Sequence, residues 1–364
     1  MTTETRPERD RSPFEIGFMT FVEITEDPAT GRAPSPHRRA RDTIEQARLA
    51  DQVGLDLFAV GEHHRTDFVG SAPAMVLAAA AEATEHIRLS SSVTVLSSDD
   101  PVRVWEQFAT LDQFSGGRAE IIAGRGSYTE SFPLFGYDLA DYADLFREKL
   151  ELLLAIRDRN PLTWRGRFRP PLEAADIGPR ALQDELPVWV GVGGTLASAV
   201  ATGRLGLPMA MALLLGPLTY HEQTVDMYRA AAEQAGHDPA TLRTSINVHG
   251  HVARTSQGAR DTMYPAFARG MMENNHQRGR GFQMPRAAFD AQTSPAAGLV
   301  VGSPQEVVDK LLAYHEVYGL DRALIQVGFG GMAQKDVLEA IELLGTEVAP
   351  VVRREVAGRT ASVA

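Results

Sequence analysis

The chain has 364 residues, 44% hydrophobic and 23% charged, with a formal net charge of −11; it can bury a large core, and its acidity argues against a nucleic-acid partner gripped through phosphates. It has no cysteine, which excludes thiol nucleophiles, disulfides, thiolate zinc sites and iron–sulfur clusters. Its only lysines are Lys149, Lys310 and Lys335, which leaves little for lysine-centred chemistry, and no apolar run reaches the roughly 18 residues of a membrane helix.

The opening segment, Met1 to Ser12, is charged and lacks the apolar stretch of an export signal, so a cytoplasmic protein with a disordered tail over 1–12 is expected. From there, short β-rich runs alternate with longer stretches of helical periodicity. Eight runs read as strands: Phe14 to Phe21, Leu57 to Val60, Ile87 to Leu96, Ala119 to Ala123, Val188 to Val192, Met209 to Leu214, Thr244 to Ala253 and Ala323 to Val327. Helices are predicted over Arg38 to Val53, Pro73 to Ala83, Val102 to Phe114, Leu145 to Arg157, Leu196 to Arg204, Thr219 to Ala235, Gln257 to Met272, Pro304 to Tyr318 and Lys335 to Leu344. Ser303, Pro304 and Glu306 form a capping-box start for the eighth of these.

Eight strands in β-then-α order predict an α/β fold, a (β/α)8 TIM barrel, as one domain over 13–352 with a C-terminal tail over 353–364; an open doubly wound sheet satisfies the same count. Pro161 to Arg180 and Asn274 to Ala297 exceed a minimal barrel and read as insertions of the kind that cover an active-site face.

Chemistry-bearing residues gather at the predicted C-terminal ends of the strands, where a barrel opens its catalytic mouth. Glu62-His63-His64 follows the second strand, and strand alternation would send the two imidazoles to opposite sides. The third strand carries Ser90, Ser91, Ser92, Val93 and Thr94, an unusual density of hydroxyls that either neighbouring backbone or a bound ring could satisfy. The fourth ends in Gly124-Arg125-Gly126-Ser127-Tyr128, an arginine fork between glycines that suits a phosphate, or equally an ion pair at the rim. The fifth runs through Gly193-Gly194-Thr195 into a helix bearing Ser198, which suits a mononucleotide phosphate or a plain helix cap. His249 and His251 share one face of the seventh strand, a spacing that admits a metal-dependent hydrolase barrel as an alternative.

The ordered set Glu62-His63-His64, Pro101-Val102-Arg103, Leu111 to Arg118, Gly124-Arg125-Gly126, Phe135-Gly136, Pro187 to Val190, Gly206 to Met209 and Val301 to Pro304 resembles the bacterial-luciferase-like flavin-dependent monooxygenases over roughly Phe14 to Val352. The resemblance implies reduced FMN (FMNH2) as cofactor, delivered by a separate NAD(P)H:flavin reductase, and a homodimer or higher homo-oligomer. It implies O2 as co-substrate and oxygenation of a small organic molecule through a flavin C4a-(hydro)peroxide. In that family the arginine matched by Arg125 contacts the flavin phosphate, flanked here by Gly126 and Ser127, and Gly193, Gly194, Thr195 and Ser198 complete the site. The segment matched by Ser92 and Val93 lies beside the flavin ring and often carries a non-proline cis peptide. The residue matched by His63, with Glu62 beside it, handles the peroxide. Gly124 stands where light-emitting members carry a cysteine, and Ser131 where they carry an acid, so bioluminescence is not implied. A deazaflavin (F420)-dependent oxidoreductase and a non-catalytic flavin-binding subunit are the alternatives on the same fold. No metal site is expected.

Overall fold

A computed structural model describes residues 14–126, 128–277 and 283–363. All eight predicted runs are strands: β1 (Glu15–Thr20), β2 (Leu57–Val60), β3 (Arg88–Ser91), β4 (Ala119–Gly124), β5 (Val188–Val192), β6 (Met209–Leu213), β7 (Thr244–Val252) and β8 (Arg322–Gln326). Each pairs in parallel with its successor, and β8 returns to pair with β1, which closes the barrel and removes the open-sheet alternative. Past β3 the chain resumes pairing with β4 at Thr94–Val95, after a cis Ser92–Val93 peptide.

Helices α1 (Pro36–Gln52), α2 (Pro73–Ala83), α3 (Pro101–Ser115), α4 (Tyr142–Asp158), α5 (Leu196–Arg204), α6 (Glu222–Gln234), α7 (Ser256–Gln277), α8 (Pro304–Tyr318) and α9 (Gln334–Leu343) follow the predicted order. Local chemistry sets several starts. Asp100 accepts from the Val102 N–H at 2.8 Å ahead of Pro101, and Ser303 and Glu306 form the expected reciprocal capping box on α8.

Two expectations need correction. Residues 353–363 are not a tail: they belong to α10 (Ala349–Val363), whose Val352 and Val356 are buried in the main core. The insertion Pro161 to Arg180 is no lid. It contains an antiparallel pair, Leu162–Trp164 with Leu172–Ala175, and is held to the flanks of α3 and α4, with Trp105 Nε1 donating to Pro179 O at 3.0 Å and the Phe168 N–H to Glu148 at 2.9 Å. None of its residues lines the cavity described below. It connects a helix end to a strand start, so it begins at the opposite face of the barrel from the strand C-termini. The second insertion, Asn274 to Ala297, does come after β7 and carries a short helix, Arg286–Gln292; just beyond it a short strand, Val300–Gly302, pairs with the end of β7. The expected tail over 1–12 lies outside the described residues. Among those described, no helix is long and apolar enough to cross a membrane.

Strand alternation divides the barrel interior into layers. The lowest is ionic. Arg322 from β8 is fully buried and donates to Glu15 of β1 at 2.6 Å and to Glu120 of β4 at 2.6 and 3.0 Å, with Trp189 of β5 under its guanidinium. Arg243 adds a second cation 3.0 Å from Glu15. Burial alone would raise the Glu15 carboxyl, but Arg322, Arg243 and Arg88 hold it down at about 2. Above this plug lies an apolar layer of Met19, Leu57, Ala59, Ile122, Trp189, Ala210 and Leu324, of which Met19 and Ala210 reach the cavity. Above that the barrel opens.

Candidate active site

A cavity of about 530 Å³ occupies the C-terminal ends of the strands, within the size range of small-molecule sites. Glu62, His63, Ser92, Val93, Arg125, Gly126, Gly193 and Thr195 all line it. Gly194 and Ser198 do not: Gly194 turns the chain into α5 at φ 98°, and the Ser198 N–H is taken by Thr195 O at 2.9 Å. Ser127 lies outside the described residues.

Val93 forms part of the floor. A β-carbon at Gly124 would come within 2.5 Å of Val93 Cγ2, and one at Gly191 within 2.8 Å of its Cγ1. Both positions must therefore lack a side chain for Val93 to lie where it does, which gives a local physical reason for glycine rather than cysteine at 124. Ser90 and Ser91 of the hydroxyl run are absorbed by their neighbours, with Ser90 Oγ within hydrogen-bond reach of Ser91 O and Glu120 and Ser91 Oγ donating to Ile122 O, whereas Thr94 Oγ1 is buried with no partner among the described residues. Ser92 differs, because its Oγ accepts from Asn247 Nδ2 at 2.6 Å and leaves Asn247 Oδ1 buried on the cavity wall with no partner among the described residues. Sequence reasoning passed over Asn247, although it sits two residues before His249 on the same strand.

At one end of the cavity Arg125 extends from β4 to the start of α5, its Nη2 3.4 Å from Thr195 Oγ1 and its guanidinium 5.3 Å from the Tyr142 ring centre. Tyr142 is itself fixed, its hydroxyl donating to Gly126 O at 2.6 Å. Among the described residues no side chain caps the α5 N-terminus, so an arginine fork and uncapped helix amides face the same space, a donor set suited to a phosphate. Arg125 is the one lysine or arginine among the described lining residues.

The His63 and His64 end is built differently from the expected alternation. β2 stops at Val60, so residues 61–64 are no longer strand, and both imidazoles line the cavity. Glu62 is a clamp. Its carboxylate accepts from the Val95 N–H at 2.9 Å and bonds His64 Nε2 at 2.7 Å. The Glu62 hydrogen bond raises the His64 pKa against the opposing effect of burial. His63 instead bonds Glu130 through Nδ1 at 2.9 Å, with Phe21, Phe68 and Tyr128 packed round its ring at 4.8, 4.5 and 4.5 Å. Burial works against the Glu130 charge, yet the His63 hydrogen bond and the local backbone hold its pKa below normal. Glu130 was missed from sequence, where the reading centred on Ser131; the acid stands one position earlier. A carboxylate on Nδ1 fixes the His63 tautomer and leaves Nε2 as the working nitrogen.

Of the seventh-strand pair only His249 lines the cavity. Both rings are buried, and burial pushes each down to about 4. Among the described residues no three histidines or carboxylates cluster as metal ligands.

A family model described as luciferase-like monooxygenase matches residues 14–320. The oxygenase component of the flavin-dependent trigonelline monooxygenase of Acinetobacter baylyi is 24% identical over 331 residues, spanning 85% of this chain and 89% of that protein. The F420-dependent glucose-6-phosphate dehydrogenase of Amycolatopsis mediterranei is also 24% identical, over 84% of this chain and 96% of that one. Among solved structures, the oxygenating constituent of 3,6-diketocamphane monooxygenase from Pseudomonas putida, in complex with FMN, shares the fold with a TM-score of 0.73 and 22% identity, over 93% of this chain and 98% of that one.

Proposed function

Because the chain belongs to the luciferase-like monooxygenase family, we propose that it is an oxygenase component that binds reduced FMN, supplied by a separate NAD(P)H:flavin reductase, and uses O2 to oxygenate a small organic substrate. The observation that carries this reading is the polarity of one cavity: a phosphate-type donor set of Arg125, Thr195 and the α5 N-terminus at one end, and the buried His63–Glu130 pair at the other. The space between has an apolar floor at Val93 and an unpaired acceptor at Asn247 Oδ1, which suits a flat ring bearing an N–H. Bound reduced flavin would supply the activation of O2.

The chain's own residues do the rest. Arg125 grips the phosphate with its fork, Gly126 leaves room beside it, and Thr195 adds a hydroxyl; Gly193 brings backbone close to the same anion. Ser92 holds Asn247 against the ring position. Phe21, Phe68 and Tyr128 exclude water around His63, whose Nε2 holds and moves the proton that the oxygenation requires, while Glu130 stabilises the ring when it is charged. Glu62 positions this end by tying the chain after β2 to the chain after Val93. The same reading takes the protein as a cytoplasmic homodimer.

The F420 alternative would share the phosphate site, but the deazaflavin carries a longer anionic side arm, and Arg125 is the single cation on the described lining. Side-by-side assays separate the two. Reduced FMN with air and a substrate panel should give oxygenated product and oxidised flavin; turnover only with F420 and an alcohol panel, without O2, would replace the proposal.

A further inference from the structure

His249 presents a polar problem that the flavin site does not solve. The side chain is 5% exposed and lines the cavity, with its ring wedged against Phe329 at 4.4 Å and Phe267 at 5.5 Å. Among the described residues Nδ1 is sealed from solvent with no hydrogen-bond partner, whereas Nε2 is not sealed in this way and has no partner either. A sealed ring nitrogen without a partner costs less as a lone pair than as an N–H, because a buried orphan donor loses a full hydrogen bond to water. The proton therefore belongs on Nε2, the nitrogen left to the cavity. Burial keeps the ring neutral down to about 4.

The surroundings fix what this donor can recognise. Phe329, Met271 and two glycines, Gly270 and Gly330, make this part of the lining apolar. The charges nearby are carboxylates already engaged: Glu23 accepts from Gln326 at 3.1 Å with Arg39 at 3.8 Å, and Glu273 pairs with Arg269 at 3.0 Å. Among the described lining residues the one cation is Arg125, which follows β4, three strands away round the barrel. An anion would meet two carboxylates and a neutral donor; an uncharged acceptor would meet a matching N–H and an apolar wall.

We infer that the end of β7 forms a substrate subsite in which His249 Nε2 donates a hydrogen bond to the carbonyl oxygen of an uncharged, mainly apolar substrate, held against Phe329 and Met271. The assignment deepens the oxygenase reading and rests on it for the word substrate. The test uses three probes of one shape: acetophenone, ethylbenzene, which lacks the acceptor, and benzoate, which carries a charge. Each is titrated calorimetrically at neutral pH into the FMN-loaded wild type and into His249→Phe. Acetophenone should bind the wild type about 5–10-fold more tightly than ethylbenzene, the worth of one neutral hydrogen bond, with benzoate weaker than acetophenone. In His249→Phe the gap between acetophenone and ethylbenzene should close while FMN affinity stays unchanged. Equal wild-type affinities, tighter benzoate, no saturable acetophenone binding, or a gap that survives the substitution would each overturn the subsite. The wild-type comparison stands even where the variant does not fold. Failure of FMN to bind would sink the flavin reading separately, and the same titrations into flavin-free protein would still decide the role of His249.

Discussion

The two ends of this barrel are built from the same strands on the same alternation, yet they treat polarity in opposite ways. At the lower end every strong charge has its match: fully buried Arg322 lies between Glu15 and Glu120, with Arg243 completing the balance. At the upper end polar atoms are left over: among the described residues Asn247 Oδ1 and His249 Nδ1 are buried and unpaired, and Arg125 has only a 3.4 Å contact and a ring face. A buried polar group that folding leaves unsatisfied calls for a ligand or a function. The lower layer is a plug whose work is finished on folding; the upper one is finished only when something binds.

The contrast can be broken first at the plug. Arg322→Met should leave two carboxylates buried without their main cation, a loss of about 3–5 kcal/mol, measured by urea denaturation with secondary structure as the signal. A loss under about 1 kcal/mol would show that the plug does not bear on stability. At the mouth, His63→Ala should leave stability and FMN affinity nearly unchanged while oxygenated product falls roughly 10²–10⁴-fold, the usual scale for a lost general acid–base group. The missing turnovers should reappear as hydrogen peroxide, so product and peroxide are measured together; unchanged coupling would remove His63 from the chemistry. His64→Ala makes a sharper companion than strand alternation suggested, because His64 also lines the cavity but holds Glu62 rather than Glu130.

A smaller effect lies in acid. His251 is buried and its pKa is pushed from 6.5 down to about 4. Between those values the unfolded chain binds a proton that the folded one refuses, so stability rises with pH there and is lost as pH falls. From pH 7 to pH 5 this one group should cost on the order of 2 kcal/mol, and His251→Gln should flatten that part of the stability profile. An unaltered profile in the variant would mean that the ring is not held neutral by burial.

Much of this architecture was legible in the sequence because barrel strands and their helices announce themselves locally. The eight β-rich runs, and caps such as Asp100 and Ser303, depend on neighbours within a few residues. Glu62, His63, Ser92, Val93, Arg125, Gly126, Gly193 and Thr195 were legible as a group because strand ends converge in a closed barrel, and all eight line one cavity. What was not legible depends on where a strand stops or on contacts between distant segments. The early end of β2 at Val60 turned His64 inward against the period-2 expectation. Glu130 reaches His63 across 67 positions, and Asn247 reaches Ser92 across 155. The hairpin between 161 and 180 looked like a lid because its composition is loop-like, whereas its place between a helix end and a strand start sends it along the outside of α3 and α4. The end of the last helix reads as a tail in sequence because past Val352 the one residue in the main core is Val356, too little to show a stripe.

The claim on which the rest depends is that the open end holds FMN by its phosphate. Binding of FMN and of riboflavin, which lacks that group, can be compared in the wild type and in Arg125→Ala by flavin fluorescence. The account predicts that the substitution weakens FMN by roughly 1.5–3 kcal/mol, the worth of a charge-assisted contact, and leaves riboflavin almost untouched. Equal losses for both flavins would contradict it, and would make Arg125 a structural residue of the rim.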